Sequence, residues 1–324
     1  MIELQRKLLG DKVRNDAFAE ALRRVIVPQE SIIADIGSGT GFLSFLVSKL
    51  GAKQCYGYEV GGIVETSRQL AKRNGIKNCT FFRTHSTDVK HPPKVDVVVS
   101  ETLGNYALEE NILETMEDAK RFLKPMGLLL PAKISQFVCP VTTDRLYREI
   151  DVWLSVGFGL DFSEARELTM NNMYVKTIHP EDLLMGAERE WDTVDFSISP
   201  FHGSGFSTRG VRSKKNLSIR TGKQSFTVKK PVTVYGFALW WNAELVPGVH
   251  LSTSPFEAPT HWEQIFLPLL QPVKLASGST LELTLTSDTR WQTKINLQWS
   301  VRVLDATKKE VSVQRLDMRK GYIL

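Results

Sequence analysis

Cysteine is scarce in the 324-residue sequence: Cys55, Cys79 and Cys139, odd in number and far apart. That argues against a disulfide framework or a thiolate zinc cluster, so no metal is expected, and a reducing cytoplasm is the expected compartment. Long apolar runs are lacking too. None approaches the roughly 18 residues of a membrane span. The N-terminus, MIELQRKLLGDKVRNDAF, lacks a basic-then-apolar leader pattern, so no membrane partner is expected. Acid is missing from one stretch. Residues 201–230 hold eight basic residues (Arg209, Arg212, Lys214, Lys215, Arg220, Lys223, Lys229, Lys230) and no Asp or Glu, and without them the net charge of +5 would be −3. Such a run is ordinarily a solvated loop; the sharper reading is a patch for an anionic partner such as nucleic acid.

What is present points to folded cores: 42% hydrophobic and 24% charged residues. The length suggests two domains at about 150 residues each. From about 30 to 140, short apolar runs alternate with helical patterns. SIIADIG (31–37), QCYGYEV (54–60), CTFFR (79–83) and VDVVVSE (95–101) read as strands. Phe42 to Leu50 and Val64 to Asn74 read as helices, and Leu108, Ile112, Leu113, Met116, Ala119 and Leu123 follow helical spacing up to a stop at PMG (125–127). This predicts an α/β fold with a parallel sheet covered on both faces, over residues 1–140. Residues 141–324 differ. Ile295, Leu297, Trp299, Val301 and Val303 alternate strictly, as do Leu281, Leu283 and Leu285, and 225–245 is strand-like, so a β-rich second domain is expected.

DIGSGTGF (35–42) lies where the first strand meets the first helix. Gly37, Gly39 and Gly41 let the backbone turn tightly and leave room for a ligand beside Asp35. The dinucleotide fingerprint is GxGxxG, and Phe42 stands at its third glycine, which favours S-adenosylmethionine over NAD. Glu59 ends the second strand, where an acid accepts hydrogen bonds from ribose hydroxyls; either cofactor uses that arrangement. Thr87 or Asp88, after the third strand, is a candidate for meeting an adenine amino group.

SETLGNYALEEN (100–111) carries three carboxylates. Glu101 ends the VDVVV strand on the same edge as the glycine loop. Gly104 permits a turn, and Glu110 is expected in the first turn of the following helix, where negative charge is favoured. The loop can bring Glu101 and Glu110 together while Glu109 points elsewhere. Carboxylates that meet in a pocket repel unless a cation lies between them.

These residues resemble the protein arginine methyltransferases. Ser100, Glu101, Gly104 and Glu110 fall on that family's S-E-x-x-G-x-x-x-x-x-E loop, Thr260-His261-Trp262 on its Thr-His-Trp loop, and Asp11 and Arg14 on its N-terminal D-x-x-R pair. The resemblance runs from about residue 5 to 305. It implies a Rossmann-like methyltransferase domain followed by a β-barrel-like domain with an inserted helical dimerisation arm, matched by about 151–175, and hence a homodimer. It implies transfer of a methyl from S-adenosylmethionine to a protein arginine. Glu101 and Glu110 would clamp the guanidinium, His261 would pair with Asp11, Arg14 would hold the cofactor's methionine carboxylate, and Trp262 would line the substrate groove. A structural histidine is the rival reading of His261.

Some positions differ from the family. Thr102 and Leu103 stand where Trp-Met is common, Leu8 and Gln5 replace a Met and a His, and the Tyr-Phe-rich helix ahead of D-x-x-R is unmatched, so a less enclosed cofactor is expected. A small guanidino or amino metabolite as acceptor, or a weakly active cofactor-binding scaffold, are the alternatives. An RNA methyltransferase is disfavoured, because paired carboxylates repel a polyanion.

Overall fold

The computed structural model describes residues 2–197, 218–290 and 295–321. The first part of the chain runs α1 (Ile2–Gly10), α2 (Lys12–Val25), β1 (Ile32–Ile36), α3 (Phe42–Lys49), β2 (Gln54–Glu59), α4 (Val64–Arg73), β3 (Cys79–Arg83), β4 (Val95–Ser100), α5 (Ile112–Ala119) and β5 (Leu123–Leu130). The strands form one parallel sheet in the order β3-β2-β1-β4-β5. Ile33, Ala34, Val97, Val98 and Val99 are buried, as continuous apolar strands must be when both faces are covered. The strand order reverses between β1 and β4. The crevice beyond their carboxyl ends is therefore the place where such a sheet binds a ligand.

The second part runs β6 (Lys133–Val141), α6 (Arg145–Ile150), α7 (Ser163–Met170), β7 (Tyr174–Lys176), β8 (Arg189–Asp195), β9 (Ile219–Thr227), β10 (Val232–Val246), β11 (Val249–Ser252), β12 (Gln264–Leu275), β13 (Thr280–Asp288), β14 (Asn296–Leu304) and β15 (Glu310–Asp317). They build two antiparallel sheets, β7-β12-β10-β6-β8 with β11 on β10, and β15-β14-β13-β9. Among the described residues no backbone ladder joins the two sheets, so the expected barrel is not closed by strands. Side chains bridge the seams instead: Arg220 of β9 pairs with Asp192 of β8, and Gln314 of β15 exchanges hydrogen bonds with Gln271 of β12.

Three expectations are corrected. The sheet changes at Pro131 rather than at 140, because β6 pairs antiparallel with β10 and β8. The helix expected from Leu108 begins only at Ile112. Asn111, at φ +57°, breaks the helical path just before it, which leaves Glu110 outside the helix. PMG is not a stop but lies inside β5. Of the eight basic residues between 201 and 230, Arg209, Arg212, Lys214 and Lys215 lie outside the described residues; Lys223, Lys229 and Lys230 are exposed.

Residues 151–175 form an arm of one short helical turn (Trp153–Ser155) and α7. Its base is fixed by buried Arg166, which donates to Asp151, to the Tyr147 hydroxyl and to Leu270 O. Its tip is apolar and open: Leu154 is 66%, Phe158 94% and Leu160 61% exposed. No helix among the described residues is long and apolar enough to cross a membrane.

Candidate active site

A cavity of about 550 Å3 opens at the β1/β4 crevice. Its floor is the glycine loop. Gly37, Gly39 and Gly41 all have positive φ (75°, 52° and 86°), and a Cβ on Gly41 would lie 2.9 Å from the Phe45 ring, so no other residue fits there without movement. Asp35, at the end of β1, is buried. Its Oδ2 accepts from the Ser44 amide (3.0 Å) and hydroxyl (2.6 Å), while Oδ1 has no partner among the described residues. Burial pushes this carboxyl up to about 6, against the opposing pull of Ser44. Glu59, at the end of β2, accepts from the Gly39 amide (3.0 Å) and the Gly61 amide (2.6 Å), so it both shapes the glycine loop and faces the cavity.

Opposite lies the carboxylate loop. Glu101 Oε2 takes two bonds from Arg14, one from Nε at 2.8 Å and one from Nη2, and both side chains are almost wholly buried. Arg14 Nη1 donates to Asn15, which leaves two of its five N–H groups uncommitted. Glu110 lines the same cavity and has no hydrogen-bond or ion-pair partner among the described residues. The surrounding protein, then the charges of Glu101 and Glu109, push its carboxyl up to about 7, although its cavity side remains open to water. Glu109 turns away. It accepts from the Tyr106 amide (3.1 Å) and packs against Gly104, where a Cβ would sit 2.5 Å from that of Glu109.

The N-terminal helices close one wall. Asp11 caps α2 through Oδ1 to the Arg14 amide (3.0 Å), while Oδ2 accepts from the His261 amide (2.9 Å) and lies 2.7 Å from His261 Nδ1. Burial would raise the Asp11 carboxyl, but the bonds from His261 and Arg14 outweigh it and leave it lowered. Trp262 stacks near His261 and donates from Nε1 to Leu103 O at 2.7 Å.

The structure thus brings Asp35, Gly37, Gly39, Glu59, Arg14, Glu101, Glu110, His261 and Trp262 to one cavity, with Gly41 beneath it and Asp11 behind His261. It does not bring Thr87 or Asp88 there. Both are exposed on a single helical turn, and Thr84, His85 and Ser86 line the cavity in their place. Ser86 Oγ is buried without a described partner. Gln5 of α1, which the family resemblance places against the substrate, lies on the glycine loop: its Oε1 accepts from the Thr40 amide (3.3 Å) and covers Gly39. Nothing in the spacing of α1 distinguishes this glutamine from a surface one.

Residues 132–304 match the family described as "Arginine methyltransferase oligomerization subdomain", more than half of the chain. The chain belongs to the protein arginine methyltransferase family. Residues 18–135 also match "Ribosomal protein L11 methyltransferase (PrmA)". Among curated relatives, protein arginine N-methyltransferase 6 of Xenopus tropicalis is 29% identical over 293 residues, covering 86% of this chain and 82% of the relative. Histone-arginine methyltransferase CARMER of Drosophila grimshawi is 27% identical over 288 residues, 86% and 51%. The chain spans about half the length of several curated relatives it matches. In fold it is similar to the Trypanosoma brucei PRMT1 enzyme-prozyme heterotetrameric complex with AdoHcy, at a TM-score of 0.82 and 22% identity over 98% of both chains.

Proposed function

We propose that this methyltransferase-family protein transfers a methyl group from S-adenosylmethionine to a guanidino nitrogen of a protein arginine. The observation that carries the reading is the partnerless Glu110 carboxylate facing the same cavity as a glycine loop and a buried Arg14–Glu101 pair. The donor set fits the cofactor. The glycine backbone leaves room for a nucleoside, Glu59 retains acceptor capacity for ribose hydroxyls, Asp35 Oδ1 and Ser86 Oγ are buried and unmatched, and two Arg14 N–H groups remain for a carboxylate.

The cofactor supplies an electrophilic methyl on a sulfonium. Glu110, with Glu101 beside it, holds planar guanidinium N–H groups and localises positive charge away from the reacting nitrogen. In the unliganded chain burial and the charges of Glu101 and Glu109 raise the Glu110 carboxyl to about 7, and a guanidinium bound there favours its ionised form. Asp11 and His261 join the N-terminal helix to the β domain, and Trp262 walls the acceptor side. Cofactor binding and both clamp carboxylates belong to the part ending at Leu130, while the part from Lys133 onward supplies Trp262, the hold on the carboxylate loop and assembly. The exposed apolar arm tip supports a homodimer, and three free thiols support a reducing cytoplasm.

The test is transfer of labelled methyl to an Arg-rich peptide pool, free arginine and cell extract, with mass spectrometry locating the methyl and light scattering giving the mass. Methyl on peptide arginine, from a particle of about twice the 36.6 kDa chain, is expected. Label on free arginine alone would move the acceptor to small-molecule metabolism, and a monomer mass would remove the dimer.

A further inference from the structure

Beyond Glu101 the chain lines the cavity as far as Asn105 and is then seated in the β domain before returning at Glu110. Leu103, Tyr106, Ala107 and Leu108 are all buried. Three hydrogen bonds hold the entry point: Trp262 Nε1 to Leu103 O, Trp241 Nε1 to Gly104 O at 3.1 Å, and Asn105 Nδ2 to Trp262 O at 2.5 Å. Trp241 and Trp262 meet edge to face with ring centroids 5.0 Å apart, so the two donors are braced against each other.

Tyr106 is 2% exposed, and its hydroxyl lies near Ser287 of β13, Gln136 of β6 and the Asp192–Arg220 pair; neither it nor the Ser287 hydroxyl has a hydrogen-bond partner among the described residues. Ser287 and Arg220 are register partners on β13 and β9, and Gln136 and Asp192 on β6 and β8. Gln136 Nε2 also donates to Asp192 at 3.1 Å. The tyrosine therefore seats where the two antiparallel sheets meet.

We propose that Trp241 and Tyr106 are positioning residues: they fix how deeply the loop between the glutamates is seated in the β domain, and so set the placement of Glu110 opposite Glu101. The kinetic part rests on the methyl-transfer reading; the structural part does not. Trp241→Phe keeps the packing and removes the donor. Tyr106→Leu empties the seat, and Tyr106→Phe keeps the ring in it.

Hydrogen exchange of amides 101–111 in the full-length protein gives a readout independent of turnover. Cofactor affinity, kcat and acceptor KM are measured alongside. Expected are faster exchange in that loop alone, an unchanged cofactor Kd, and kcat lower by about tenfold for Trp241→Phe and Tyr106→Leu, with KM moved less and Tyr106→Phe close to wild type. Unchanged loop exchange in both variants overturns the proposal. So does faster exchange with undiminished kcat. A wild type that transfers no methyl defeats the functional reading, while the exchange comparison still decides whether these residues hold the loop.

Discussion

The two sides of the cavity are built in opposite ways. Around the glycine loop the contacts are short in sequence: Asp35 bonds nine residues ahead to Ser44, Glu59 twenty back to Gly39, and Gln5 thirty-five ahead to Thr40. On the acceptor side the contacts span the chain. Trp241 meets Gly104 across 137 residues, Trp262 meets Leu103 across 159, and His261 meets Asp11 across 250. A nucleoside cradle can be made by one strand, one turn and one helix. The loop that carries Glu101 and Glu110 is instead held by residues of the β domain.

Neutralising either carboxylate of the proposed clamp has the largest expected effect. Glu101→Gln and Glu110→Gln are each expected to lose transfer by about 10²- to 10³-fold, with cofactor affinity largely kept, as the removal of one electrostatic contact at a reacting centre does. Glu109→Gln is expected to be mild, since the amide oxygen can still accept from Tyr106. Calorimetric titration with cofactor beside the transfer assay reads both; equal activity in all three variants removes the clamp. The reverse lesion is Gly41→Ala. The left-handed backbone strain and the Phe45 contact should weaken cofactor affinity by about tenfold, leaving loop exchange at 101–111 unchanged. A loss in the loop as well would show the two sides to be coupled.

The smallest effect is in pH. Glu110 feels the charges of Glu101, which Arg14 pairs, and of Glu109, and His261 with its Asp11 and Glu263 line the same cavity. Transfer should rise with pH along a limb whose midpoint lies near or below 7, since only the ionised carboxylate clamps a cation. The sign for stability is opposite. A carboxyl raised from 4.5 to about 7 in the folded chain binds more protons there than in the unfolded one. Its stabilising contribution is full below 4.5 and is lost as pH rises through 7. Glu110→Gln should flatten that decline in Tm between pH 5 and pH 8, read without ligand.

What was legible in the sequence follows the same division. Strands β1 to β4 and the glycine loop are readable because apolar runs, glycines and spaced acids are close neighbours. Glu101 is readable because it ends a strand. The Asp11–His261 pair came only with the family resemblance, since no local pattern connects positions 250 apart. Trp241 reads as an ordinary core residue, and its indole N–H has no signature in spacing. The start of α5 was misplaced because Leu108 is in phase with Ile112, while the left-handed turn at Asn111 between them leaves the periodicity intact. Thr87 and Asp88 were misplaced because the turn after β3 puts Ser86, not its followers, inward.

Arg14 on Glu101 is a guanidinium already resting on the loop's first carboxylate. A stretch with three acids in ten residues would otherwise be its own worst neighbour while folding. The resident cation offsets one of those charges, and α2, capped by Asp11, holds it in place. Of the two carboxylates that line the cavity, one thus comes already paired and the other, Glu110, has no partner among the described residues.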